Sequence, residues 1–260
     1  MTNTMPTRNV ATTRSVARLS GAAALMVLAW VLGAPSVARG QTAEEIVAAN
    51  IAASGGEQAI ARIDNFTSKG RVAIESQFFG KLEGTLEMVR VPGHGYYEHV
   101  VLGPIEQTKG WDGNRGWELG PNGSRTLEGF ELDVMKVQSF VNPFIARRTL
   151  APAARIERLD DAQVGGRPQY VLLVRTPDGQ PATTFIDRET KLLTRITMTV
   201  SIPNVGEAAI VTDVGGYKRV AGVMMSTTMT QVAEGIATTN VTLDDTSVNT
   251  SVDAKIFAAR

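Results

Sequence analysis

Cysteine is absent from all 260 residues. That excludes disulfide staples, thiolate nucleophiles, cysteine metal sites and the acylated cysteine of a lipid-anchored envelope protein. Histidine is nearly as scarce, with only His94 and His99. The chain also has no Gly-x-Ser-x-Gly elbow, phosphate-binding loop, dinucleotide fingerprint or zinc-ligand spacing, so the common signatures of nucleophilic, nucleotide-dependent and zinc chemistry are missing. No excess of one charge sign exists either, because 26 basic residues balance 26 acidic ones. The only long apolar run, from about 19 to 32, is shorter than the roughly 20 residues that span a bilayer.

That run has a different use. Arg8, Arg14 and Arg18 precede it, and Ala38-Arg39-Gly40 stands before Gln41, so residues 1–40 read as a signal peptide cleaved after Gly40 or Ala38. A retained N-terminal anchor is the competing reading. Export places the mature chain, residues 41–260, in the periplasm. Cleavage removes four of the 26 basic residues and no acid, leaving 22 against 26 and a formal charge of −4, which argues against a nucleic-acid partner. About 220 residues bury enough surface for one domain without staples or metals.

The most legible stretch is 170–202, which reads as three antiparallel strands joined by polar turns at 176–180 and 187–191. In the third strand Leu192, Ile196, Met198, Val200 and Ile202 alternate with polar residues, the period of a sheet with one wet face. Upstream, Thr42-Ala43-Glu44-Glu45 has capping-box spacing. It opens a helix running to about Ser54, stopped by Gly55-Gly56 and followed by a short turn over 57–63. From Phe66 the period becomes two: Val72, Ile74 and Phe78 share a face, and Leu82, Leu86 and Met88 follow after a break at Phe79-Gly80. Further strands are expected over 96–101 and 105–111, with a tight type I′ hairpin at Asp112-Gly113.

Phe130, Val134, Val137, Val141 and Phe144 recur at helical spacing, with Asn142-Pro143 ending one helix and opening a shorter one. Strands return over 155–159, 163–164, 208–217, 223–232 and 236–246. The class is therefore α+β, mainly β: a large antiparallel sheet with a few helices covering one face, without alternating βα units.

Candidates for chemistry are few. His99 beside Glu98 lies in a strand, where neighbours point to opposite faces, and His94 lies between two glycines in a turn. The acidic pairs Asp160-Asp161 and Asp244-Asp245 lack the ligand density of a calcium loop. No catalytic residue, metal or cofactor is implied. What remains is apolar surface, rich in flexible methionine. Strand parity and helix spacing nominate Ile74, Phe78, Leu86, Met88, Val134, Val137, Ile196, Met198, Met225 and Met229 to line a hydrophobic cavity under the covering helix, with Met224, Met225 and Met229 in one strand. Ordinary core packing is the competing role for each.

Several passages resemble one family. Ala52-Ala53-Ser54-Gly55-Gly56 with Ala59-Ile60, Ile63 and Gly70 is similar to the opening of periplasmic proteins of the LolA/LolB-like lipoprotein-sorting superfamily. So is the strand, turn and strand from Phe185 to Leu193 after Pro177-Asp178-Gly179-Gln180-Pro181. The passage Tyr217-Lys218-Arg219-Val220-Ala221-Gly222-Val223-Met224-Met225 and the closing Val248-Asn249, Asp253 and Phe257 extend the likeness across the mature chain. Ser226 stands near where that group commonly has proline. The resemblance implies an unclosed, strongly curved sheet (an open barrel) whose concave side, covered by helices, holds acyl chains. The expected function is a periplasmic carrier for an acylated lipoprotein or lipid, passed between envelope donor and acceptor proteins. A sensor or interaction module of the same fold without lipid transport is the alternative, and a hydrolase using His99 or His94 is a third.

Overall fold

Residues 40–140, 155–175, 179–202 and 206–258 are described in the structure, a computed structural model. Their secondary structure opens with α1 (Ala43–Ala53) and α2 (Glu57–Ala61), then β1 (Phe66–Ser76), β2 (Gly80–Val91), β3 (Gly95–Leu102), β4 (Ile105–Trp111), β5 (Gly116–Gly120) and β6 (Gly123–Leu127). After α3 (Gly129–Phe140) come β7 (Arg155–Val164), β8 (Arg167–Arg175), β9 (Pro181–Asp187), β10 (Leu193–Ile202) and β11 (Gly206–Gly215). β12 (Lys218–Val220), β13 (Val223–Met225), β14 (Thr228–Ala233), β15 (Ala237–Val248) and a 3-10 turn (Ala254–Phe257) complete the chain.

Thirteen of these strands form one antiparallel sheet in the order β6-β5-β4-β3-β2-β1-β15-β14-β11-β10-β9-β8-β7. The sheet is curved and does not close into a barrel, and the helices cover its concave face, as the sequence led us to expect. Hairpin connections account for the order on each side. The two halves are sewn together where β1 pairs with β15, with Val72 opposite Val241. The edges, β6 and β7, are consecutive strands that flank α3 in the chain.

Period-two alternation decides which residues face inward. Phe66, Ser68, Val72 and Ile74 of β1 share a face with Leu86 and Met88 of β2 and with Tyr96, Val100 and Leu102 of β3. Two glycines permit tight curvature on that face: a Cβ on Gly70 would collide with the Thr242 carbonyl, and one on Gly84 with the Val101 carbonyl. Inward residues gather in three clusters. Ile46, Val47, Ile51 and Ile60 of the first two helices pack on Tyr170, Leu172, Ile186 and Leu193. Val72, Leu86, Met88, Tyr96, Val100 and Trp111 pack with Met135 of α3. Met198, Val200 and Ile210 form the third, against which Val134 of α3 packs.

α1 begins as its capping box requires: Thr42 Oγ1 accepts from the Glu45 N–H at 3.2 Å, and Glu45 Oε2 accepts from the Thr42 N–H at 2.8 Å. On the outer face, Trp117 stacks over Gly110 and donates from Nε1 to the Phe257 carbonyl at 2.7 Å, so the C-terminal turn closes over β3 and β4.

Several local expectations need correction. The Trp111–Trp117 hairpin has a four-residue loop instead of a type I′ turn, because Asp112 Oδ1 accepts from the N–H groups of Asn114 and Arg115, and only Gly113 of the loop takes positive φ. A β-bulge between Leu193 and Arg195 shifts the parity of β10, so Leu193 is buried in place of Leu192. Residues 155–164 form one bulged strand, not two short ones. The expected strand over 223–232 is broken at Ser226-Thr227: β13 pairs with β12 in a separate two-stranded sheet, while β14 joins the main sheet. β6 was not anticipated, since Gly123-Ser124-Arg125-Thr126 offers no apolar alternation. Val141, Asn142-Pro143, Phe144, the turn 176–178 and residues 1–39 lie outside the described residues.

Candidate functional site

The concave face beneath α3 is the candidate site. α3 contacts β3 on one side and β10 on the other, so it bridges the two halves of the sheet. Leu132 and Met135 reach toward β1–β4, and Val134 toward β10 and β11. Its first turn is latched by charge: Arg125 of β6 donates to Glu131 at 2.6 and 2.7 Å and to Glu118 of β5 at 2.9 and 3.2 Å. The hydrogen bonds from Arg125 hold the Glu131 carboxyl below its usual range, against an opposing push from burial.

The nominated residues fall into groups. Leu86 and Met88 are buried in the cluster under Leu132 and Met135, with Ile74 and Met229 packed at its margin. Met198 is buried in the cluster that receives Val134, and Ile196 lies between it and the α1 cluster. Met225 packs instead with α1, away from Met229, because the break at Ser226-Thr227 sends the two methionines to different sheets. Phe78 is not on the inner face. It sits at the β1–β2 hairpin tip and is 75% exposed, beside Phe79 at 55%; strand parity ends at Ser76, whose hydroxyl accepts from the Phe78 N–H. The side chain of Val137 lies outside the described residues.

Parity also places a polar row on this face that the search for apolar candidates missed. Across β3, β4, β5 and β6 the register sets Glu98 opposite Lys109, Lys109 opposite Glu118, and Glu118 opposite Arg125. Tyr96 and Arg90 flank the row, and Tyr96 donates to Glu98 Oε2 at 2.6 Å. Burial, with the Glu98 charge beside it, pushes the Tyr96 phenol well above its ordinary range. The signal was present in the sequence, since Arg90 has the parity of Leu86 and Met88, and Glu98 that of Tyr96 and Val100.

The other candidates for chemistry have ordinary partners. His99 Nε2 lies 2.9 Å from the exposed Glu106 carboxylate on the outer face, and His94 is exposed in its turn. Asp161 accepts from Arg158 and Arg188, and Asp244 from Arg71. Among the described residues no group of three potential metal ligands occurs.

Neither a protein-family model nor a curated protein matches the sequence. Solved structures do match the fold. A LolA superfamily protein from Nitrosomonas europaea superposes with a TM-score of 0.55 at 13% identity, over 84% of this chain and 98% of its own. A DUF1329 family protein from Desulfovibrio piger gives 0.54 at 9% identity, over 84% and 98%. A domain from Vibrio parahaemolyticus named for outer membrane lipoprotein sorting gives 0.50 at 12% identity, over 83% and 97%. Identities this low speak for the fold alone: the curved, helix-covered sheet of this chain is the LolA-like fold.

Proposed function

We propose that the protein is a periplasmic carrier that shelters the acyl chains of a lipoprotein or lipid on the concave face beneath α3, and is not an enzyme. One observation carries this reading: a one-sided apolar surface spans both halves of the sheet, and the helix covering it is tied at its first turn by the Arg125–Glu131 ion pair. Leu86, Met88 and Met198 are buried in this closed form, so an acyl chain enters by displacing α3 and taking over its contacts. Each CH₂ transferred from water contributes about 0.8 kcal/mol, so a partly inserted chain gives usable affinity without any covalent step. The likeness to a domain named for lipoprotein sorting supports the cargo class.

The test is native mass spectrometry of the exported protein, purified without detergent, together with organic extraction. A discrete acylated species that co-purifies, or uptake of added phospholipid or acylated peptide, is the expected result. A clean apo mass that refuses both overturns the carrier and favours an interaction module, for which the exposed Phe78 and Phe79 would be the first surface to test.

A further inference from the structure

Arg90 is a cation on the inner face that, among the described residues, pairs with no carboxylate. It follows Leu86 and Met88 on the same side of β2 and is only half-buried. Its Nη2 donates to the Met88 sulfur at 3.4 Å, a weak acceptor, and its guanidinium lies 5.5 Å from the centre of the Tyr96 ring. Its Nε is buried and, among the described residues, has no hydrogen-bond partner. The neighbouring cations differ: Lys109 lies 3.7 Å from Glu118, and Arg125 binds Glu118 and Glu131. Among the described residues Arg90 forms no ion pair; the Tyr96 hydroxyl stands between it and Glu98, hydrogen-bonded to Arg90 and donating to Glu98 Oε2. A desolvated donor without an acceptor is a costly arrangement, and native proteins rarely retain one that nothing uses.

The surroundings define what it would take. From Arg90 the inner face of β2 runs Met88 then Leu86, and Val72 of β1 packs in the same cluster. One end of this strip offers the half-buried Arg90 guanidinium, and Met88, Leu86 and Val72 beyond it offer hydrocarbon and thioether, with Ser68 and Glu98 flanking Met88 across the register. That is the outline of an amphiphile with an oxygen head and an aliphatic tail.

We propose that Arg90 holds the oxygen head of an acyl amphiphile, the carboxylate of a fatty acid or the carbonyl of its ester, with the chain laid along Met88, Leu86 and Val72 beneath α3. This subsite rests on the carrier reading above. Arg90 is a positioning contact that fixes the head, while the apolar strip supplies most of the affinity; a headless apolar molecule binds without it.

Three fluorescent probes test the assignment: dansylaminoundecanoic acid, its methyl ester, and neutral N-phenyl-1-naphthylamine. Arg90→Met, which keeps the apolar stem and removes the guanidinium, is expected to weaken binding of the acid at least tenfold and leave the naphthylamine within twofold. An equal loss for the ester identifies the carbonyl as the recognised group, and an unchanged ester identifies the carboxylate. If Arg90→Met binds the acid as tightly as the natural chain, the subsite is wrong while the carrier stands. If the natural chain binds none of the three, the carrier reading fails and the subsite with it. Should Arg90→Met not fold, the natural protein still decides: the Arg90 Nε–H resonance in a proton–nitrogen spectrum is expected to shift on adding decanoate and to hold still on adding the naphthylamine. A resonance unmoved by bound decanoate overturns the subsite.

Discussion

At the scale of single residues, two positions show how much of the architecture hangs on one side chain or on its absence. Asp187 ends β9 and is only 2% exposed, yet it organises the β9–β10 turn: Oδ1 accepts from the N–H groups of Glu189 and Thr190, and Oδ2 receives Arg167 Nε at 2.9 Å. Burial pushes its pKa up, but these donors outweigh it and the carboxyl lies below its ordinary range. Asp187→Ala leaves two turn N–H groups and the Arg167 Nε–H without their acceptor, and is expected to lower stability by about 2–3 kcal/mol, read by chemical denaturation. Asp187→Asn keeps the turn acceptor and should lose about half of that; an alanine variant as stable as the natural chain would remove Asp187 from this role. Gly55 is the converse case. It takes φ +125°, and a Cβ there would meet the Gly222 carbonyl, because α1 ends against the β12–β13 turn with the Met224 N–H donating to the Ser54 carbonyl at 2.8 Å. Gly55→Ala is expected to cost on the order of 1–3 kcal/mol from backbone strain and to loosen α1. Gly56→Ala, with positive φ but open space around it, should cost less; equal losses at both would show that the close approach to Gly222 adds nothing.

Among the elements, α3 is attached by charge at its first turn and by apolar packing through Leu132, Val134 and Met135. The Glu131 pKa is depressed by Arg125, so the latch contributes fully above the unfolded carboxyl value of about 4.3 and is lost as pH falls through the lower folded value. Arg125 is half-exposed, which limits the pair to less than about 1 kcal/mol. Glu131→Gln is therefore expected to speed amide exchange in the first turns of α3 at pH 7, with the difference from the natural chain shrinking as the pH falls below the ordinary carboxyl value of about 4.3. A difference that persists in acid would exclude the charge as its cause. α3 itself was legible from helical spacing, as were both meanders from period-two alternation, because each pattern is local. What was not legible depends on partners distant in sequence. The bulge that buries Leu193 instead of Leu192 is set by pairing with β9. The break that separates Met225 from Met229 is made by Thr227, which donates to the Gly215 carbonyl and accepts from the Leu243 N–H. The inner-face row from Glu98 to Arg125 exists only because four strands align in register, and a reading that searched for apolar residues passed over it.

For the whole molecule the consequence of this arrangement is mechanical. The sheet is continuous from β6 to β7 and shares one concave face, so the apolar clusters that α3 packs on belong to both halves. A carrier built this way must move α3 to load, whereas an interaction module need not. The absence of cysteine makes the distinction accessible, because two introduced thiols are the only pair in the chain. Val134 on α3 and Ile196 on β10 pack against the same cluster. In Val134→Cys/Ile196→Cys the two thiols are to be joined by oxidation or by a short bismaleimide that tolerates imperfect disulfide geometry. Joined, the protein is expected to take up N-phenyl-1-naphthylamine at least tenfold more slowly than the unjoined form, and reduction of the directly oxidised form should restore the rate. Uptake at the same rate with α3 fastened to β10 would mean that apolar ligands reach the protein elsewhere. The helix would then be a fixed part of the core, and the buried faces of Leu86, Met88 and Met198 would be packing alone.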